Sequence, residues 1–106
     1  MIPSMVDILA ARQRIRSQVD VTPCRHSDWL TSVAEAAVAL KLECVQRTGS
    51  FKIRGALNAL LRRGPALAGP RHVVTASAGN HGRAIALAAD VGARGFGRRR
   101  RSAAET

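Results

Sequence analysis

"HVVTASAGNHGRAIALAADVG", residues 72–92, changes its period halfway along. The first six residues are short and rich in β-branched side chains, Val73, Val74 and Thr75, which is the composition of a strand. "AGNHG", residues 78–82, is a glycine-containing turn. "RAIALAADVG" follows with the spacing of a helix that ends near Gly92. A strand that turns tightly into a helix is half of a βαβ unit, so the segments before it decide whether the chain alternates.

They do alternate. In "GSFKIRGALNAL", residues 49–60, Ser50 is placed to cap a helix that Gly64 and Pro65 close. Ile53, Leu57, Leu60 and Leu61 form its apolar stripe, and Arg54, Asn58 and Arg62 its wet face. Lys52 lies on neither and leads a flank of small residues, Ala56 and Ala59, that leaves space beside its amine. "PALAGPR", residues 65–71, is a linker. Upstream, "AVALKLEC" has period two, with Val38, Leu40, Leu42 and Cys44 on one face and Ala39, Lys41 and Glu43 on the other, which predicts a strand. "QRTG" is the loop after it. Ser27 and Asp28 predict a short capped helix through Trp29 and Leu30. Ser4 and Asp7 form a capping-box-like start for a first helix on which Ile8, Ala11, Ile15 and Val19 recur, broken by "VTPC" at Pro23. The order α, α, β, α, β, α predicts an α/β fold with a parallel sheet and flanking helices.

With 106 residues the chain can build one small domain with a modest core. Apolar residues make up 46% and aromatics only 3%, so that core must be Ala, Val, Leu and Ile at close backbone approach. The net charge is +10, which attracts polyanions without specificity. No aromatic residues interleave with the basic ones to stack on bases, so specific nucleic-acid recognition is not expected. The two cysteines, Cys24 and Cys44, are too few for a disulfide scaffold. Together with His26 and His72 they lack the spacing of paired zinc ligands, and isolated thiols in a reducing compartment describe them better. The start of the chain lacks the pattern of a secretory signal, and no apolar run reaches spanning length, so a cytoplasmic protein without membrane partners is expected.

After Gly92 the character changes. "ARGFGRRRRSAAET" has no period, and Arg98 to Arg101 are consecutive. Removing those four positives and Glu105 lowers the charge from +10 to +7. Residues 1–92 are therefore taken as the structured part. Residues 93–106 are a basic tail, either disordered or translated out of frame.

Two motifs carry chemistry. Lys52 stands in the first turn of a helix, beside Phe51, at the end where the macrodipole disfavours a cation. A lysine wanted as a neutral, carbonyl-attacking amine belongs in such a place, ideally buried; a lysine reaching into water is the plainer reading. In "TASAGNHG", residues 75–82, the first-turn N–H groups of the following helix form an anion site suited to a carboxylate, and Asn80 offers a donor and an acceptor. Alone, this is also how an ordinary helix start looks.

Together, "LKLE", "TGSFKIRGALNAL" and "VTASAGNHGRAIALAA", in this order and spacing, closely resemble the fold-type II pyridoxal-phosphate enzymes. This is the tryptophan synthase β-like superfamily, and the likeness is to its threonine dehydratase and serine racemase branch. The resemblance runs from about Ile8 to Gly92, and "SFKIRGA" is its most specific part. It implies a partial, truncated domain of that fold. It makes Lys52 the Schiff-base lysine and places Phe51 near the ring of pyridoxal 5'-phosphate. Ser77, Ala78, Gly79, Asn80 and His81 match the loop that holds the substrate carboxylate, with Asn80 on the cofactor's phenolic oxygen. Racemases of the branch carry a proton-moving Ser at the position of Ala78, so alanine there implies dehydration.

The implied reaction is β-elimination on a small amino-acid substrate, from threonine to 2-oxobutanoate and ammonia, with the cofactor as electron sink. Family members are much longer. Their glycine-rich phosphate loop has no counterpart among nine glycines of which no two are adjacent, and their late Ser, Thr or Cys facing the pyridine nitrogen is missing. The resemblance therefore favours a truncated or frameshifted N-terminal piece, inactive alone, of a protein compatible with homo-oligomers at full length. Serine or hydroxyectoine dehydration within the same branch, and a non-enzymatic basic protein that binds polyanions, are the competing readings.

Overall fold

In the computed structural model, residues 1–63 and 72–94 are described. Helix α1 spans Met5–Ile15. Its start is the reciprocal box the sequence predicts: Ser4 Oγ accepts the Asp7 N–H at 3.2 Å, and Asp7 Oδ2 accepts the Ser4 N–H at 2.8 Å. The expected apolar stripe turns inward only at its end. Ile15 is buried and Val19 packs against the core, whereas Ile8 is 53% exposed.

Strand β1, Cys24–His26, precedes helix α2, Asp28–Ala34. Ser27 caps α2 through the Leu30 N–H, and Glu35 ends it in the left-handed region at φ 52°. Strand β2, Ala39–Lys41, then pairs antiparallel with β1, placing Cys24 opposite Lys41 and His26 opposite Ala39. The strand predicted over residues 38–44 is thus shorter than its period. Glu43–Val45 coil into a 3-10 turn, because the Glu43 carboxylate is drawn toward the helix that follows.

Helix α3 spans Lys52–Leu61. Ser50 stands one residue farther out than a cap, and its hydroxyl accepts the Lys52 N–H at 3.4 Å. Phe51 occupies the cap position without a side-chain bond. The predicted closure at Gly64 and Pro65 and the linker 65–71 lie outside the described residues, apart from the α3 end at Arg62. Helix α4 spans Asn80–Arg94, two residues past the predicted end. The tail from residue 95 lies outside the described residues.

The core is the seam of α3 with α4, joined by the end of α1. Ile53 and Leu57 are fully buried, with Ala56, Ala84, Ala88 and Ile15 around them. Burial of each large side chain stabilises by roughly 1.5–3 kcal/mol, and the alanines let the two backbones approach closely. Ala56 belongs to this seam and does not form the open flank beside Lys52 that the sequence predicts.

The predicted parallel sheet is not formed among the described residues. The sheet there is the antiparallel β1–β2 pair. Residues 72–77 are exposed and carry no strand pairing, despite their β-branched composition. A strand is defined by a neighbour, and no described segment lies alongside to supply the ladder.

Candidate active site

Lys52 is held in place from behind. The Arg54 guanidinium, two residues on, forms an ion pair with the Glu43 carboxylate, its Nη2 reaching Oε2 at 3.2 Å. Thr22 Oγ1 donates to the same Oε2 at 2.6 Å, and Gln46 Nε2 at 3.4 Å. The Arg54 hydrogen bond, with those from Thr22 and Gln46, holds Glu43 at a pKa of about 2 against a desolvation that pushes the other way. Gln46 is 4% exposed, and its amide closes a ring with the Asp20 backbone, accepting the N–H at 2.8 Å and donating to the carbonyl at 2.9 Å. Arg47 Nη1 donates to the Gln18 carbonyl at 2.7 Å. The segment after α1, the 3-10 turn and the start of α3 are thereby one hydrogen-bonded unit. Gly49 at φ 79° supplies the left-handed residue that swings the chain from this unit into α3.

Lys52 is exposed at the first position of α3, its Nζ 5.5 Å from the centre of the Phe51 ring, a cation–π distance. The burial expected around the amine is absent, because the α3 face turned inward begins at Ile53. Phe51 is itself 61% exposed. The other lysine, Lys41, is committed: its Nζ donates to the Thr22 carbonyl at 2.5 Å.

The second predicted element sits at the start of α4. Ser77, Ala78, Gly79, Asn80 and His81 are all exposed, and Asn80 is the first residue of the helix. Ser77 Oγ accepts the Gly79 N–H at 3.2 Å, and the Gly79 carbonyl accepts the Arg83 N–H at 3.2 Å, which opens α4. The N–H groups of Asn80, His81 and Gly82 precede that first helical bond and have no acceptor within the helix. Lys52 and Asn80 therefore begin two helices that share a core, one residue before buried Ile53 and four before buried Ala84.

Glu43, Gln46 and Thr22 were not legible as a unit. Period two assigned Glu43 to a strand face with Ala39 and Lys41, and helical period assigned Arg54 to solvent. The available signal was the single acid in a mostly apolar stretch of a strongly basic chain, with an arginine inside the next motif. The four residues weighed as metal ligands do not gather: no cluster of three or more His, Cys, Asp or Glu occurs among the described residues. His26 Nε2 lies 3.2 Å from Asp28. No helix among the described residues is long and apolar enough to cross a membrane.

Residues 15–95 match the family described as pyridoxal-phosphate dependent enzyme, and the chain belongs to it. The matched residues are accordingly part of the fold-type II domain, and pyridoxal phosphate is the family's cofactor. A Sinorhizobium fredii protein named as a candidate threonine dehydratase is 50% identical over 86 residues, covering 81% of this chain and 26% of that protein. Rat (Rattus norvegicus) serine racemase is 46% identical over 88 residues, again covering 81% of this chain and 26% of the relative. The crystal structure of serine racemase from Dictyostelium discoideum superposes with a TM-score of 0.75 at 36% identity, over 84% of this chain and 29% of that one. The chain thus spans about a quarter of the length of the curated relatives it matches.

The chemistry of these side chains is compatible with that cofactor: Lys52 has an exposed amine with the Phe51 ring beside it, and Asn80 carries an exposed amide at the start of α4. The described residues supply no glycine-rich cradle for its phosphate.

Proposed function

We propose that this chain carries the lysine and the carboxylate-binding loop of a pyridoxal-phosphate dependent dehydratase acting on a hydroxy amino acid, with L-threonine as substrate. The observation that carries the reading is the pairing of an exposed Lys52 with the Ser77–His81 turn on two helices of one core, inside the matched region. Pyridoxal phosphate, when bound, supplies a carbonyl for Lys52 and an electron sink for the α-carbon. The Lys52 amine would take the α-proton, and the β-hydroxyl would leave with a proton as water. Hydrolysis of the released enamine gives 2-oxobutanoate and ammonia. The Ser77 hydroxyl and the first-turn N–H groups of α4 hold the substrate carboxylate. Ala78 has no proton to move, which favours elimination over racemisation although racemases are equally similar.

The residues after α4 take no part in this chemistry, the setting is cytoplasmic, and the substrate is a small molecule. Serine or hydroxyectoine is the alternative substrate within the branch, and polyanion binding by the basic surface is the non-enzymatic alternative. Because a phosphate cradle is lacking among the described residues, the chain by itself holds the cofactor loosely and makes no useful 2-oxobutanoate.

Spectrophotometric titration with pyridoxal phosphate tests this, comparing the chain with Lys52→Ala. The variant is expected to lose the visible absorbance of the lysine adduct while its binding to heparin is unchanged. An unchanged adduct spectrum, or robust 2-oxobutanoate production by the isolated chain, contradicts the reading.

A further inference from the structure

We propose that Gly82 is a positioning residue for the Ser77–Asn80 turn, setting where the turn's donors meet a substrate carboxylate. The proposal deepens the function argued above and rests on it for the identity of the ligand.

Gly82 is the third residue of α4 and half-buried. A Cβ built on it would lie 2.6 Å from the Ser77 carbonyl oxygen, 3.4 Å from the carbonyl carbon and 3.5 Å from the Ser77 Cβ. The obstructing atom is backbone, so no side-chain rotation relieves the contact. Glycine is therefore what lets the chain fold back from Ser77 onto the first turn of the helix.

That approach has chemical consequences. It places the Ser77 hydroxyl where it accepts the Gly79 N–H at 3.2 Å, which leaves the hydroxyl's own proton to donate outward. The same turn leads directly into the first-turn N–H groups of Asn80 and His81, which have no acceptor in the helix. A methyl group at residue 82 displaces Ser77 from this arrangement without touching a donor. Two other glycines mark the difference. A Cβ at Gly79, in the turn itself, or at Gly55, inside α3, meets nothing within 4 Å. Alanine is a better helix former than glycine, so both Gly55→Ala and Gly82→Ala gain from propensity, and only the second encounters the Ser77 backbone.

The test uses the full 106-residue chain, isotope-labelled, as wild type, Gly82→Ala and Gly55→Ala. Two readouts are followed by NMR: amide exchange at Gly79, and the shifts of residues 78–81 during titration with L-threonine. Gly55→Ala is expected to match wild type in both. Gly82→Ala is expected to speed exchange at Gly79 and to weaken L-threonine binding by about tenfold, with the Ile53 and Leu57 methyl signals in place. A Gly82→Ala variant that behaves as Gly55→Ala does overturns the proposal. So does one that loses the Ile53 and Leu57 signals, because its role is then global. If L-threonine shifts nothing even in wild type, the carboxylate reading fails, while faster exchange at Gly79 in Gly82→Ala still supports Gly82 as the residue that sets the turn.

Discussion

Lys52 and Asn80 begin two helices that share one core, yet the chain behind each is built differently. Behind Lys52 lies a dense polar unit: Glu43 receives Arg54, Thr22 and Gln46, and Gln46 is clamped to Asp20. Apart from the local Gln46–Glu43 contact, its bonds join residues 11 to 26 positions apart, so the start of α3 is fixed by tertiary structure. Behind Asn80 the chain is exposed and without strand pairing from residue 72 to 77, and the turn rests on the Ser77–Gly79 bond and the close passage at Gly82. The comparison predicts that the two halves of the proposed site fail in different ways. Damage behind Lys52 is expected to reach the whole domain, and damage behind Asn80 to stay local.

The larger expected effect is at the polar unit. Glu43→Gln keeps the shape and removes the charge that Arg54 meets, and is expected to cost about 2 kcal/mol in urea unfolding at neutral pH. The sign with pH follows from the depressed Glu43 pKa. Stabilisation from the ionised carboxylate is complete above the ordinary value of 4.5 and is lost as pH falls toward about 2. The gap between wild type and Glu43→Gln should therefore close across that acid window. A gap that stays constant from pH 6 to about pH 2 would show that charge is not what Glu43 contributes.

The smaller effect is at the turn. Ser77→Ala removes one exposed hydrogen bond and is expected to change the unfolding free energy by about 0.5 kcal/mol or less. Amide exchange at Gly79 should nevertheless rise, and exchange in α3 should not. A loss as large as that of Glu43→Gln would mean that the turn is tied to the core after all, and the contrast between the two regions would fall.

The same contrast explains what the sequence made legible. Features set by neighbours along the chain were readable: the Ser4–Asp7 box, the Ser27 cap, the apolar stripe of α3 and the helix after Gly79. Features set by distant partners were not. Period two in "AVALKLEC" extends the strand to Cys44, but Glu43 is claimed by Arg54 and the chain coils after Lys41. Val73 and Val74 have the composition of a strand, but pairing needs a neighbour that composition cannot provide. Burial of Lys52 was expected from its apolar company, yet Phe51 beside it is exposed and Ala56 turns to the core. Gly82 stood out only once the position of the Ser77 carbonyl was known.

The central claim is that Lys52 is the amine that meets the cofactor's carbonyl, and the chain offers an internal comparison because Lys41 is its other lysine. Borohydride reduction of the chain with pyridoxal phosphate, followed by peptide mass spectrometry, measures the partition between them. Lys52, exposed above the Phe51 ring, is expected to carry most of the label, and Lys41, held by the Thr22 carbonyl, little of it. Equal labelling of the two lysines, or a preference for Lys41, would contradict the account.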